Sequence, residues 1–276
     1  MLENMDEPQI ATLENGHQLR YRRFGIGKSI IFLHGYPETH SIWLTLMKEL
    51  SAKYDVLAFD WPGMGGSDVW KGGSTPKSMG ARIIQIMNYF KIDNAHLVGH
   101  DMGGQPALVC ASDHPNRIKS VTVINSLLIH NAQTSWEIRY LRNLTLNKLI
   151  LTFLPRVVFN RAIQTFGKNE IEISSELKDE FWHYFSKETV RRYIIRMCYG
   201  YQAQLPKLAK FYSKVTCPVL ALWSKDNKHF SVDHGVKLKE ILPKTKIVTL
   251  DGSSHWIGYY RTKETKNALI EFLDNL

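Results

Sequence analysis

A short heptapeptide, VGHDMGG, surrounds Asp101 and carries the residue types needed for a covalent reaction. Residues 95–98 form an apolar run that predicts a buried strand, and residues 105–112 predict a helix. Asp101 therefore lies at the tip of a tight strand-to-helix turn. Small residues are required two positions before and after such a tip because the backbone folds back on itself, and Gly99 and Gly103 meet this requirement. The pattern predicts a nucleophile elbow with an aspartate as the nucleophile.

A carboxylate at the start of a helix is suited to attack on carbon. The free N–H groups and the helix dipole stabilise its charged form, so Asp101 needs no base to deprotonate it near neutral pH. A carboxylate attacks saturated carbon that carries a leaving group, and the product is an ester between substrate and enzyme. An aspartate before a helix is also a common N-cap. The glycines on either side and the partner residues elsewhere in the chain favour the nucleophile.

Hydrolysis of such an ester requires a general base for water, an acid that orients the base, and donors for the oxyanion. His255 is the predicted base, because a small polar loop after the last predicted strand delivers it to the carboxyl edge of the sheet. Asp226 follows the predicted strand at residues 218–223 and is the predicted orienting acid. The earlier predicted strand, at residues 120–124, is followed by the uncharged Asn125. The backbone N–H groups of Met102 and Tyr36 are the predicted oxyanion hole.

Short apolar strands alternate with helices in two stretches, residues 1–126 and residues 213–276. The alternation predicts a parallel sheet with helices on both faces, preceded by a hairpin that turns at Asn15 and Gly16. Residues 127–212 interrupt it with helical sequence rich in aromatic and basic residues, which predicts a helical cap inserted into the core. Ligands bind at the carboxyl ends of parallel strands, where the predicted site residues lie.

The composition fits one α/β domain with an insertion, since 44% of the 276 residues are hydrophobic. The three cysteines are scattered without metal-ligand spacing, which predicts reduced core thiols. Of the net charge of +9, residues 127–212 supply thirteen Lys and Arg against seven Asp and Glu. We interpret this surplus first as a solvated helical surface, and attraction of acidic substrates or membranes is the lesser alternative. No groove-reading element accompanies it, so we expect no nucleic-acid partner.

The first nine residues are acidic and polar, without the apolar core of a secretory signal. No apolar run approaches the ~20 residues needed to span a bilayer. We therefore expect a soluble, cytoplasmic protein that is not stably inserted into a membrane.

Together these motifs resemble the α/β-hydrolase superfamily over nearly the whole core, and within it the branch of epoxide hydrolases and haloacetate dehalogenases. HGYPETH, beginning at His34, resembles that branch's oxyanion loop; HDMGG, around Asp101, resembles its elbow; and DHP, beginning at Asp113, resembles its helix end. The resemblance implies an α/β-hydrolase fold, with a mostly parallel twisted sheet flanked by helices and an inserted helical cap. It also implies that Asp101 attacks, His255 activates water and Asp226 orients His255, without a cofactor or a metal.

Departures from that branch favour an epoxide over an organohalide as the small organic substrate. Haloalkane dehalogenases hold the halide with a tryptophan after the nucleophile and often an asparagine in the oxyanion loop, where this chain has Met102 and Tyr36. Haloacetate dehalogenases bind the substrate carboxylate with arginines that follow the nucleophile. The acid that orients their histidine commonly follows the sixth strand. This chain has Met102, Gln105 and Asn125 instead. We therefore expect an epoxide hydrolase.

Epoxide hydrolases need phenol donors from the cap, because the epoxide oxygen is a poor leaving group unless it is hydrogen-bonded as it becomes an alkoxide. Four cap tyrosines are candidates, the first two favoured by their position: Tyr140, Tyr201, Tyr199 and Tyr193. His34 and Pro37 of the oxyanion loop are also expected to bind the substrate.

Two alternatives remain open. The first is a haloacetate or haloalkane dehalogenase with a rebuilt halide site. The second is a non-catalytic binding protein on the same scaffold, which would be favoured if Asp226 did not reach His255, or if Pro106 in the elbow helix distorted the turn. The sequence leaves the oligomeric state open.

Overall fold

A computed structural model describes residues 6–14, 16–167, 173–252 and 254–276. The predicted turn residue Asn15 lies outside the described residues, as does Ser253 of the histidine loop. The strands are β1 (Gln9–Thr12), β2 (Gln18–Phe24), β3 (Lys28–Leu33), β4 (Tyr54–Phe59), β5 (Ala95–His100), β6 (Ile118–Ile124), β7 (Val219–Ser224) and β8 (Lys246–Leu250).

The eight strands form one sheet in the order β1-β2-β4-β3-β5-β6-β7-β8. Strand β2 runs antiparallel to both of its neighbours, and the pairings from β4 to β8 are parallel. Strands β4, β5 and β7 are buried along their whole length, as expected for apolar strands covered on both faces. The structure confirms the predicted α/β class and the mostly parallel sheet.

The α-helices are α1 (Leu44–Leu50), α2 (Pro76–Tyr89), α3 (Gly104–Asp113), α4 (Trp136–Arg142), α5 (Leu144–Phe153), α6 (Pro155–Phe166), α7 (Ser175–Phe185), α8 (Glu188–Gln204), α9 (Ala209–Tyr212), α10 (Asp233–Ile241), α11 (Ile257–Tyr260) and α12 (Thr262–Asp274). Helices α4 to α9 lie between β6 and β7, in the segment where the sequence predicts a cap, and we refer to them as the cap helices. Within the described residues, no helix has both the length and the apolar character needed to cross a membrane.

The elbow helix α3 is regular although it contains Pro106. The helix begins at Gly104, so Pro106 lies in its first turn, where the missing N–H has no intrahelical partner to lose. Pro106 therefore does not interrupt α3, and this condition for a non-catalytic binding protein is not met.

A buried ion-pair network connects the cap to the core. Arg20 Nη1 of β2 lies 3.0 Å from Asp60 Oδ2 and 3.0 Å from Glu180 Oε1 on α7. The hydroxyls of Thr39 and Ser41 also donate to Glu180. Burial opposes the charged form of Glu180, but Arg20 and these hydroxyls hold its pKa below the ordinary value. The network fixes α7 over the carboxyl edge of the sheet.

Candidate active site

The elbow has the strained backbone that its sequence predicts. Asp101 follows β5 in a single turn of 3-10 helix and has a φ of +50°, in the left-handed region. A Cβ on Gly99 would lie 2.5 Å from the carbonyl oxygen of Gly103, and a Cβ on Gly103 would lie 2.9 Å from the carbonyl carbon of Leu33. Only glycine fits at either position, so the carboxylate is presented at the tip of the turn.

The Asp101 carboxylate lies in the predicted pocket of backbone amides. Its Oδ1 accepts a hydrogen bond of 3.1 Å from the Tyr36 N–H, and the Met102 N–H also donates to the carboxylate. Burial raises the pKa of Asp101, while the nearby His100 and these two amides favour the charged form. The same donors can stabilise an oxyanion that develops on this group.

His255 faces the second carboxylate oxygen. The imidazole is fully buried, and its Nε2 lies 3.4 Å from Asp101 Oδ2. Its backbone is anchored on three sides: the His255 N–H donates to Phe166 O at 3.2 Å, and the His255 carbonyl accepts from Asn125 Nδ2 at 2.7 Å and His100 Nε2 at 3.1 Å. Asn125 therefore fixes the histidine loop through the His255 backbone.

The imidazole of His255 is neutral at pH 7. Burial lowers the pKa of His255 well below its ordinary value, and His100 and His229 lower it further. Glu38 acts in the opposite direction but more weakly. A neutral imidazole beside Asp101 can in principle exchange protons with water or substrate.

The prediction that Asp226 orients His255 is wrong, so one of the two conditions that would favour a non-catalytic binding protein is met. The Asp226 side chain is exposed, and its Oδ2 accepts from the Gly252 N–H. The next residue, Asn227, is buried, and its Nδ2 lies 3.4 Å from His255 Nδ1. The turn after β7 thus directs residue 226 to solvent and residue 227 to the site. The one sequence signal that could have found this residue is that Asn227, a side-chain amide, directly follows Asp226.

A second histidine next to the elbow forms a buried ion pair that the sequence reasoning missed. His100 Nδ1 lies 3.1 Å from Glu38 Oε1, and His100 Nε2 donates to the His255 carbonyl. Burial opposes the charged form of His100, but the neighbouring Glu38 raises the pKa of His100 above its ordinary value. The same interaction with His100 lowers the pKa of Glu38. Glu38 also accepts from the Gly35 N–H and from Trp256 Nε1, at 2.8 and 2.7 Å.

Glu38, His100 and His255 bring three ligand-type atoms within 4.8 Å of one another. Both oxygens of Glu38 and both nitrogens of His100 already have hydrogen-bond partners. The cluster therefore fits an internal support for the histidine loop better than a metal centre.

The candidate phenols of the cap have different surroundings. Tyr140 is 53% exposed and packs edge-on against Trp136, and Tyr199 is 44% exposed. Tyr193 is buried, and its hydroxyl accepts from Arg82 at 2.7 Å. These three phenols do not line the cavity at Asp101.

Tyr201 does line that cavity, but its hydroxyl is occupied. It donates to the Met102 carbonyl at 2.9 Å, which connects α8 to the elbow. Tyr201 is therefore the one member of the predicted pair that the structure brings to the nucleophile.

His34 and Pro37 do not contact the substrate cavity as predicted. His34 is fully buried, with Nδ1 2.8 Å from Gly35 O and Nε2 accepting from the Trp61 N–H at 3.1 Å. Pro37 is buried and lines neither of the two cavities next to the elbow. Both residues shape the oxyanion loop instead.

The cavity at Asp101 is mostly apolar and has a volume of about 760 Å³, including space open to solvent. It lies between the elbow and the cap. Its walls include apolar side chains from four cap helices, α4, α5, α6 and α8, and from the turn after α8: Ile138, Leu141, Leu151, Phe166, Met197 and Leu205. Such a cavity fits a small hydrocarbon-rich molecule that places one polar group near the carboxylate.

The sequence reasoning overlooked the phenol of Tyr36 as a polar group at this cavity. Tyr36 lines the cavity at Asp101 and a second one under α4 and α6, and its buried hydroxyl has no hydrogen-bond partner. Burial, with smaller contributions from Cys198 and Asp101, raises the pKa of Tyr36 well above its ordinary value. The hydroxyl therefore stays protonated and is free to donate.

Comparisons with known proteins agree with this architecture. The sequence profile of the α/β hydrolase fold family matches residues 28–262. The chain is 23% identical to a 2-hydroxy-6-oxononadienedioate/2-hydroxy-6-oxononatrienedioate hydrolase of Paraburkholderia phymatum, with 96% of this chain and 94% of that protein covered. It is 22% identical to a soluble epoxide hydrolase of Corynebacterium sp. strain C12, with 88% and 89% covered.

The fold is similar to the solved structure of a 2-hydroxy-6-oxo-6-phenylhexa-2,4-dienoate hydrolase from Rhodococcus sp. strain RHA1. The TM-score is 0.83 at 20% identity, over 97% of this chain and 99% of that one. The structure thus has an elbow between β5 and α3, a histidine after β8 and helices between β6 and β7, and the profile match covers most of the sequence. The chain belongs to the α/β hydrolase fold family.

Proposed function

We propose that the protein is an epoxide hydrolase that forms a covalent ester through Asp101. The observation that carries this proposal is the orientation of one carboxylate. Its Oδ1 is held by the Tyr36 N–H, while its Oδ2 faces His255 Nε2 and the side chain lines the apolar cavity. The two oxygens are therefore in different environments, as a nucleophile with a separate oxyanion position requires.

In the first step, Asp101 Oδ2 attacks an epoxide carbon. A carbon–oxygen bond forms to the enzyme, the epoxide carbon–oxygen bond breaks, and its electron pair remains on the epoxide oxygen. The free hydroxyl of Tyr36 supplies the proton to that oxygen, and the phenolate is reprotonated from solvent. The product is a hydroxyalkyl ester of Asp101.

In the second step, water attacks the ester carbon, Asp101 Cγ. The charge develops on the oxygen that is held by the Tyr36 and Met102 amides. His255 Nε2 is the group placed to take the proton from water and return it to the departing alkyl oxygen. The diol leaves and the carboxylate is regenerated with one oxygen from water.

The cavity walls indicate the substrate's shape. Their apolar side chains favour an alkyl or aryl body. Arg142 also lines the cavity, and its guanidinium contacts Gln202 Oε1 and His130 but no acidic side chain among the described residues. Burial alone lowers the pKa of Arg142. An uncompensated cation at the wall favours an epoxide that carries an anionic group at its far end.

Several relatives are named as hydrolases of 2-hydroxy-6-oxo compounds, so a substrate that reacts at a carbonyl carbon is the second candidate. A carboxylate that attacked a carbonyl carbon would form a mixed anhydride, which is less stable than the ester formed at saturated carbon. Asp101 at the elbow therefore favours substrates with a leaving group on saturated carbon.

The test uses the His255→Gln variant, in which the second step is blocked. We expect incubation with 1,2-epoxyhexane to add the mass of one epoxide to the protein, and peptide mapping to place the adduct on Asp101. A six-carbon epoxide with a terminal carboxylate should react faster if Arg142 binds the anion. Wild-type protein turned over in ¹⁸O-labelled water should acquire the label in the Asp101 carboxylate.

Asp101→Asn is the matched control and should form no adduct. Absence of an adduct on His255→Gln with alkyl and aryl epoxides, together with no diol from the wild type, would contradict the proposal. Halide release from bromoalkanes without any reaction with epoxides would instead identify a dehalogenase.

A further inference from the structure

The imidazole of His255 faces an amide where ester hydrolysis calls for an anion. Asn227 Oδ1 accepts from two backbone amides, the His229 N–H at 3.0 Å and the Phe230 N–H at 3.3 Å. Only an acceptor fits there, so the backbone fixes the orientation of the amide. The group that lies 3.4 Å from His255 Nδ1 is therefore the NH₂ of Asn227.

Among the described residues, no carboxylate replaces this amide. Asp226 is exposed and bound to the Gly252 N–H. The charge of Glu38 is compensated by His100, and its oxygens are occupied. Asp101 approaches the imidazole from the Nε2 side.

An NH₂ group at Nδ1 selects one tautomer of His255. Because the amide is a donor there, Nδ1 must be the acceptor, and the ring proton lies on Nε2. An Nε2–H next to Asp101 Oδ2 is compatible with the anionic nucleophile. It cannot, however, take a proton from water. The tautomer that can act as a base carries its proton on Nδ1, and it places this N–H against the NH₂ of Asn227. The imidazolium that forms during hydrolysis also has no anion next to Nδ1.

We propose that Asn227 makes hydrolysis of the Asp101 ester slow while leaving its formation fast, so that the protein holds its substrate as a long-lived covalent adduct. The inference rests on the proposed function. Ester formation joins Asp101 Oδ2 to carbon, breaks the epoxide bond and uses no base. Hydrolysis joins water to Cγ, moves its proton to His255 and breaks the bond from Cγ to the alkyl oxygen. Only this second step needs the tautomer that Asn227 disfavours.

The test compares wild-type protein with Asn227→Asp. An aspartate keeps the acceptor for the two backbone amides and replaces the NH₂ by an oxygen that can accept from His255 Nδ1. With 1,2-epoxyhexane as the probe, intact mass after rapid quenching should show adduct accumulating on the wild type. In Asn227→Asp, we expect the adduct to disappear about 10²-fold faster, with little change in its rate of formation.

Asp226→Asn is the matched control, because it alters the neighbouring exposed residue; its adduct should persist as in the wild type.

A pH profile separates positioning from a structural effect. The charged and titratable groups around His255 are Asp101, His100, His229 and Glu38. A new carboxylate at residue 227 should raise the pKa of His255, so adduct loss in Asn227→Asp should slow below that pKa.

Wild-type protein that turns over the epoxide as fast as Asn227→Asp, without accumulating an adduct, would overturn this inference and leave the proposed function intact. Equal adduct lifetimes in the two proteins would overturn it as well. Failure of His255→Gln to form any adduct, with no diol from any variant, would contradict the proposed function itself.

Discussion

Tyr36 supplies two different groups to the site. Its backbone N–H holds Asp101 Oδ1, and the same residue lines the cavity and carries a buried hydroxyl without a hydrogen-bond partner. The hydroxyl of Tyr201 lies in the same region but already donates to the Met102 carbonyl. One residue can thus both orient the nucleophile and protonate the leaving oxygen.

Tyr36→Phe should separate these functions, because phenylalanine keeps the backbone amide and removes the proton donor. In the His255→Gln background, we expect adduct formation from 1,2-epoxyhexane to slow by about 10²-fold. Reaction with 1-bromohexane should change little, since bromide leaves without a proton. Rates come from intact mass against time. A larger loss in Tyr201→Phe than in Tyr36→Phe would contradict the assignment.

At this scale, the sequence predicts what depends on local backbone geometry. Asp101 and its glycines could be assigned because only small residues fit next to a tight turn. The choice between Asp226 and Asn227 depends on how the turn after β7 rotates each side chain, and no spacing rule fixes that rotation.

The cap is held to the core through helix α7, whose Glu180 reaches the buried Arg20. The pair is partly shielded, since the side chain of Arg20 is 7% exposed and that of Glu180 is 24% exposed. Removal of the glutamate leaves a buried cation with Asp60 as its remaining acidic partner.

Glu180→Ala should therefore lower the free energy of unfolding by about 2 kcal/mol, less than a fully buried pair because solvent screens the glutamate. Urea unfolding measures this change, and hydrogen exchange should show faster exchange of the α7 amides. Glu188→Ala is the control: Glu188 pairs with Arg192 at i,i+4, and both side chains are mostly exposed. We expect a loss below about 0.5 kcal/mol there. Equal losses in the two variants would show that the contact does not hold the cap.

Elements of the core could be predicted because apolar runs and turn residues mark parallel strands directly. The rotation of cap helices about their axes could not. Tyr140 and Tyr201 were equivalent by position, yet one is half exposed and the other is buried at the elbow. Tertiary packing of α4 and α8 decides which phenol faces the nucleophile.

At the scale of the whole molecule, buried neutral histidines link stability to pH. Burial lowers the pKa of six of the described histidines: His34, His40, His96, His229, His234 and His255. For His96 and His234 the pKa falls to about 4. His100, whose pKa is raised, acts in the opposite direction. The unfolded chain therefore binds more protons than the native chain between pH 6.5 and pH 4.

Stability should consequently fall as the pH is lowered from 7 to 4. The contribution of His96 or His234 is complete above pH 6.5 and is lost toward pH 4, by as much as about 3 kcal/mol each. Urea unfolding at a series of pH values measures the slope. His96→Gln should make the slope shallower, because glutamine does not titrate. A free energy of unfolding that stays constant from pH 7 to pH 5 would contradict this prediction.

The hydrogen bond from the His255 N–H to the Phe166 carbonyl joins the end of α6 to the loop that carries the imidazole. A movement of that helix end wide enough to admit a molecule also frees the loop. The position of α6 and the position of the imidazole are therefore coupled through this hydrogen bond.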